Sequence, residues 1–174
     1  MRWIVRGLLY LVVALDTTTI GSGGGRGEAT AEAASSAAPS FELVTLAGET
    51  YSKESLKGRP ALLVFWAPWC KVCQRELPLM AQFQAKEKPS QLHLISIGFA
   101  DRRRNVEEYV HSHQSTFVFP TAFDEENWVS QAFKVNATPT YVLLDSQGSV
   151  VLVHRGAGIL QNAQFRNFLS TLKG

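Results

Sequence analysis

The stretch Trp66-Ala67-Pro68-Trp69-Cys70-Lys71-Val72-Cys73 constrains this chain more than any other. It holds the only two cysteines, three residues apart, directly after the apolar run Ala61-Leu62-Leu63-Val64-Phe65. A run without polar alternation, here Leu62 to Trp66, reads as a central strand covered on both faces. A helix beginning at Cys70 then brings both sulfurs to one face of its first turn, within reach of a reversible disulfide. Strand, loop and cysteine-led helix form one unit, and the rest of the chain is arranged around it.

The helix is expected over Cys70 to Ala85, with Leu77, Met80 and Ala81 on the stripe that starts at Cys73 and a kink at Pro78. Upstream, Phe41 to Leu46 reads as a strand, followed by Ala47-Gly48-Glu49 and a turn or brief helix over Ser52 to Gly58, closed by glycine. Leu92 to Phe99 is a second buried strand. Asn105-Val106-Glu107-Glu108 has the form of a capping box, and Val106, Tyr109, Val110 and His113 follow at helical spacing. Phe117 to Phe119 reads as a short strand. Asp124 is expected to start a helix with Trp128, Val129, Ala132 and Phe133 on its apolar side. Tyr141 to Leu144 and Val150 to His154 form a hairpin through Asp145-Ser146-Gln147-Gly148-Ser149. Gln161 to Leu172 closes the chain as a helix bearing Phe165, Phe168, Leu169 and Leu172. The pattern is α/β, a mixed central sheet with helices on both faces.

Two cysteines are a motif and not a disulfide framework, so the compartment is read from the N-terminus. Arg2 and Arg6 flank the start of Gly7-Leu8-Leu9-Tyr10-Leu11-Val12-Val13-Ala14-Leu15, which looks like an export signal and falls short of the ~20 apolar residues of a spanning helix. The competing reading, an amphipathic or core helix, lacks a polar face at helical spacing. The small-x-small sites Ala29-Thr30-Ala31 and Ala31-Glu32-Ala33 lie far beyond the run, so both cleavage and retention as a membrane anchor stay open. No cysteine follows closely enough for lipid attachment. The organisation is then an export signal or N-terminal membrane anchor over 1–20, a flexible Gly/Ala/Ser-rich linker over 21–40, and a folded domain over 41–174. The net charge of +2 is interspersed and gives no reason to expect a nucleic-acid partner. Arg102-Arg103-Arg104 reads as a solvent-facing loop, with contact to anionic lipid or a partner as the alternative.

At a helix N-terminus the unsatisfied N–H groups and the dipole stabilise a thiolate, which makes Cys70 the nucleophile; Lys71 acts in the same sense, screened by solvent. Cys73, one turn inside, is suited to attack a mixed disulfide formed on Cys70. Glu76 shares its face and enters an apolar stripe, where a partly desolvated carboxylate is placed to exchange the Cys73 proton. A solvated first-turn carboxylate is the alternative. Half of a zinc site is disfavoured because His93, His111, His113 and His154 offer no fitting second ligand pair. An inert disulfide and copper(I) capture by two soft thiolates remain.

An aromatic lead-in, the two cysteines, Pro78 five residues beyond the second, and Thr138-Pro139-Thr140 ahead of the Tyr141 strand together resemble the thioredoxin-fold superfamily, and within it the TlpA/ResA-like exported thiol:disulfide oxidoreductases. The resemblance covers Phe41 to Gly174. It implies a thioredoxin-like fold with an N-terminal strand/turn extension and a central αβ insert, a periplasmic setting, and no cofactor or metal. It implies a reductase of protein disulfides, of the cytochrome c maturation type, fed by a membrane thiol donor; an oxidant or isomerase would use the same residues. Trp69, Thr138 and Pro139 are the implied substrate-binding residues, with Pro139 cis and facing the cysteines. Val64 replaces the buried aspartate of thioredoxin, whereas Glu76 matches the glutamate of the TlpA-like group as proton carrier. Lys71-Val72 departs from the commoner dipeptides and is the pair that would tune the potential. A peroxidase of the peroxiredoxin type is disfavoured, because its resolving cysteine does not usually lie so close.

Overall fold

The computed structural model describes residues 36–87 and 91–172. The apolar run Gly7 to Leu15, both small-x-small sites and most of the linker lie outside them.

Strand β4 (Ala61–Trp66) is buried at every position. Its alternation feeds two cores: Leu62, Val64 and Trp66 enter one, Ala61, Leu63 and Phe65 the other. It pairs in parallel with β5 (His93–Gly98), which pairs in parallel with β6 (Thr121–Phe123). On its other side come β7 (Thr140–Leu144), β8 (Ser149–Arg155) and the short β1 (Ser36–Ala37), each antiparallel to the strand before it, giving the order β1-β8-β7-β4-β5-β6. Helix α1 (Lys71–Glu87) covers the first core with Cys73, Leu77, Met80 and Ala81, as its stripe predicts, and continues through Pro78. Val106 of α2 (Arg103–Ser112) and Phe165 of α4 (Ala163–Thr171) join it there. The hairpin β2 (Glu42–Val44) and β3 (Thr50–Ser52), with Leu56, Val129 of α3 (Trp128–Ala132) and Phe133, closes the opposite face. The mixed sheet between helices is the thioredoxin-like architecture expected. Gly148 in the β7–β8 turn takes φ +78°, the left-handed position the hairpin required.

Several local expectations shift. The sheet begins at Ser36, inside the stretch read as linker: Ser36 and Ala37 pair with Val150 and Ser149, and Ala38 is buried. Small residues suit this edge, a pairing that composition does not reveal. Asn105 does not cap α2. The cap position is Arg102, three residues earlier, and Asp101 Oδ1 accepts from both Arg102 N–H and Asn105 Nδ2. Arg103 and Arg104 therefore sit on a helix and not in a loop, paired with Glu125 and Glu107 and with Glu108. The strand expected at Phe117 to Phe119 lies at Thr121–Phe123 instead. Phe117 is drawn to the Trp66 ring, 4.9 Å between centroids, and Pro120 offers its carbonyl but no N–H to the ladder. The helix after Asp124 is split: a 3-10 turn (Glu125–Asn127) with left-handed Glu126 and Asn127 resets the phase. Val129, Ser130 and Phe133 then face inward, while Trp128 and Ala132 are exposed. The last helix likewise divides into a 3-10 turn (Ile159–Gln161) and α4, capped by Asn162 Oδ1 on Phe165 N–H at 3.0 Å.

Gly98 fixes how α2 approaches β5. A Cβ built there would stand 2.5 Å from Val106 Cγ1 and 3.0 Å from Cγ2, and Val106 is fully buried. Gly98→Ala is expected to lower stability by about 1–3 kcal/mol, as overpacking does. Because Val106→Ala also removes the clash, it should cost less in the Gly98→Ala background than in the wild type, and the double should lose less than the sum of the singles. Urea denaturation of the two singles and the double measures this; strictly additive losses would refute the clash.

Candidate active site

The connection from β4 to α1 places the cysteines. Cys70 N–H donates to Ala67 O at 3.1 Å, and Cys70 O accepts the first helical bond from Gln74 N–H, so Cys70 is the residue that caps α1. Gln74 Nε2 reaches back to Pro68 O at 2.7 Å and holds the loop against the helix. Cys70 and Cys73 are joined as a disulfide, Cα atoms 5.2 Å apart. Both are buried, Cys70 at 4% exposure and Cys73 fully. Cys73 N–H points at Cys70 Sγ, 3.0 Å away. When the bond is reduced, that donor and the helix N-terminus favour a thiolate on Cys70.

Of the dipeptide between them, Lys71 is exposed with Nζ near Gln74 Oε1, while Val72 packs against the first core. Trp69 is 56% exposed, and its Nε1 donates to Ala100 O at 3.1 Å. Thr138-Pro139 is cis, as the resemblance implied. Because Thr140 pairs with Phe65, the β7 entry lies beside the end of β4, from which the chain runs to Cys70. Pro139 O accepts from Gly156 N–H at 2.8 Å.

Glu76 is half-buried, and its Oε2 accepts from Gly158 N–H at 2.8 Å, with Tyr141 Oη at 3.4 Å. Gly158 has φ +86°, a backbone that suits glycine and turns the N–H toward the carboxylate. Burial, and next the Glu76 carboxylate, raise the Tyr141 pKa, so its hydroxyl stays protonated and serves as donor. The loop Gly156 to Gly158 thus holds both the Pro139 carbonyl and the Glu76 carboxylate. Sequence reading missed Tyr141, Gly158 and Ala100. Tyr141 reads as an ordinary strand aromatic, and the other two act through backbone atoms brought there by tertiary structure. Among the described residues, no three His, Cys, Asp or Glu side chains converge as metal ligands.

Comparison with known proteins agrees with this geometry. The AhpC/TSA family matches residues 34–153. The chain is 35% identical over 121 residues to the thioredoxin-like protein YneN of Bacillus subtilis, covering 68% of this chain and 69% of that protein. It is 31% identical over 156 residues to the thiol-disulfide oxidoreductase ResA of Geobacillus thermodenitrificans, covering 90% and 86%. A crystal structure described as a putative thiol:disulfide interchange protein DsbE from Chlorobium tepidum superposes with a TM-score of 0.70 at 26% identity, covering 80% of this chain and 97% of that one. With the matched region taking in both cysteines and all of the sheet but the last two residues of β8, the chain belongs to the AhpC/TSA family of thioredoxin-fold proteins.

Proposed function

We propose that the protein is an extracytoplasmic thiol:disulfide oxidoreductase that reduces disulfides in other proteins. The observation that carries this is the Cys70–Cys73 bond at the start of α1, with Cys73 N–H directed at Cys70 Sγ. The names of the ResA and DsbE relatives support the thiol:disulfide exchange chemistry. In the reduced protein, the Cys70 thiolate attacks one sulfur of a substrate disulfide; that S–S bond breaks and the departing sulfur leaves as a thiolate that takes up a proton. Cys73, losing its proton to Glu76, then attacks Cys70 Sγ. The Cys70–Cys73 bond forms and the second substrate sulfur leaves as a thiolate that takes the proton back from Glu76, so the substrate gains two electrons and two protons. A membrane-bound dithiol returns the enzyme to the reduced state.

Thr138 and Pro139 form the wall against which the substrate chain lies, and Trp69 the rim. Lys71-Val72 adjusts the potential. The three-residue spacing of the cysteines favours exchange with disulfides over peroxidase chemistry, and the cysteine pairs of apocytochromes c are a fitting substrate class. Residues 1–20 direct export or anchor the protein, and a linker joins them to the domain that starts near Ser36. Among the described residues no helix is long and apolar enough to cross a membrane, and the apolar run Gly7 to Leu15 lies outside them.

Cys73→Ser removes the resolving sulfur and should leave partner proteins linked to Cys70. Non-reducing electrophoresis of cells expressing the full chain should show adducts that dithiothreitol dissolves. A variant that forms no adducts, together with tight stoichiometric copper(I) binding by the wild type, would overturn the proposal.

A further inference from the structure

The carboxyl ends of the three parallel strands β4, β5 and β6 are tied edge to edge. Phe99 N–H donates to Trp66 O at 3.0 Å, and Asp124 N–H to Gly98 O at 2.9 Å. The three connections that leave these ends are then linked through one residue, Ala100. Its carbonyl accepts from Trp69 Nε1, and its N–H donates to Asn127 Oδ1 at 2.7 Å. Ala100, Glu126 and Asn127 have φ of +53°, +50° and +60°, and they are three of the four non-glycine residues with positive φ among the described residues. Each such backbone costs on the order of 1 kcal/mol and persists only where its surroundings enforce it.

The enforcement is visible beneath the third connection. The buried Asp124 carboxylate accepts from Val129 N–H at 2.9 Å and Ser130 N–H at 2.7 Å, and Ser130 Oγ donates to Asn127 O. On this fixed turn Trp128 stands 66% exposed between a residue that reaches Ala100 and two that are buried. Left in water, an indole forfeits the stabilisation its burial would give, and a rigid exposed aromatic loses little entropy when a partner covers it.

We propose that Trp128 is a substrate-docking residue and that the docking surface runs from Cys70 over Trp69 and Ala100 to Trp128. Its occupant is the extended polypeptide flanking the cysteine under attack in a disulfide-bonded protein. This inference rests on the oxidoreductase reading and deepens it. Continuity with Cys70 identifies the occupant, since a mixed disulfide pins the partner's chain beside Trp69. Crossing from the end of β4 to that of β6 is two strand spacings, roughly 10 Å, which about three residues of extended chain cover. Parallel strands of α/β sheets bind ligands outside their carboxyl ends, and this surface lies there.

The test uses the full chain with dithiothreitol as reductant and two probes, insulin as a protein disulfide and 2-hydroxyethyl disulfide as a small one. Trp128→Ala is expected to lower kcat/KM for insulin about tenfold, the scale of an interface anchor, and to leave the small disulfide within about twofold of wild type. Trp128→Phe should restore most of the loss. The small-disulfide rate also reports that the site is folded. An unchanged insulin rate in Trp128→Ala, or equal loss on both probes, overturns the inference while leaving the oxidoreductase reading in place. Wild-type protein inert toward both probes overturns the reading, and the inference with it.

Discussion

Cys70→Ser is expected to abolish disulfide reduction, a loss of at least about a thousandfold in kcat/KM. The residue caps α1 and accepts Cys73 N–H, so both the helix start and the donor are built around this one atom. Serine is itself a favoured N-cap, which makes the substitution mild for the helix. The lost crosslink closes only a short ring, and its removal costs about 2 kcal/mol against the oxidised wild type on chain-entropy grounds. A hydroxyl at that position is not appreciably ionised at neutral pH. Cys73, fully buried, cannot take over the attack. Insulin reduction, with circular dichroism as the check on folding, measures the effect. If Cys70→Ser retained substantial activity while Cys73→Ser lost it, the two sulfurs would have the opposite roles.

What was legible in the chain was local. The β4 run, the cysteine-led helix and its stripe are each set by residues within one or two turns of one another, and each lies within a residue or two of where the pattern put it. The misplacements occur where a distant partner decides. Phe117 gives up strand geometry to meet Trp66, Asn105 serves Asp101 from inside α2, and left-handed Glu126 and Asn127 turn Trp128 outward. Trp128 is instructive because helical spacing put it in the core, and only the phase reset at Asn127 puts it on the surface. The same logic applies to the site. Cys70, Cys73 and Glu76 share one helix face and were readable, whereas Gly158 and Ala100 contribute backbone atoms, which carry no residue-type signal.

Glu76→Gln separates the two halves of the exchange. The carboxylate receives Gly158 N–H at 2.8 Å through Oε2, and an amide oxygen accepts that bond equally well, so the loop and the Pro139 wall it supports should stay in place. What the amide lacks is the ability to take the Cys73 proton. Positioned proton transfer is worth roughly 100-fold or more, so resolution of the mixed disulfide should slow by about that factor while Cys70 attack keeps its wild-type rate. In a single turnover of reduced protein with insulin, quenched with acid, the variant should accumulate the Cys70–insulin adduct that wild type never builds up. Tyr141→Phe separates position from proton transfer, because it removes one donor and leaves the carboxylate able to accept the proton. It should slow resolution by far less than Glu76→Gln. Equal slowing of both steps in Glu76→Gln would make Glu76 a structural anchor of the Gly158 loop, and unchanged kinetics would leave the Cys73 proton to solvent.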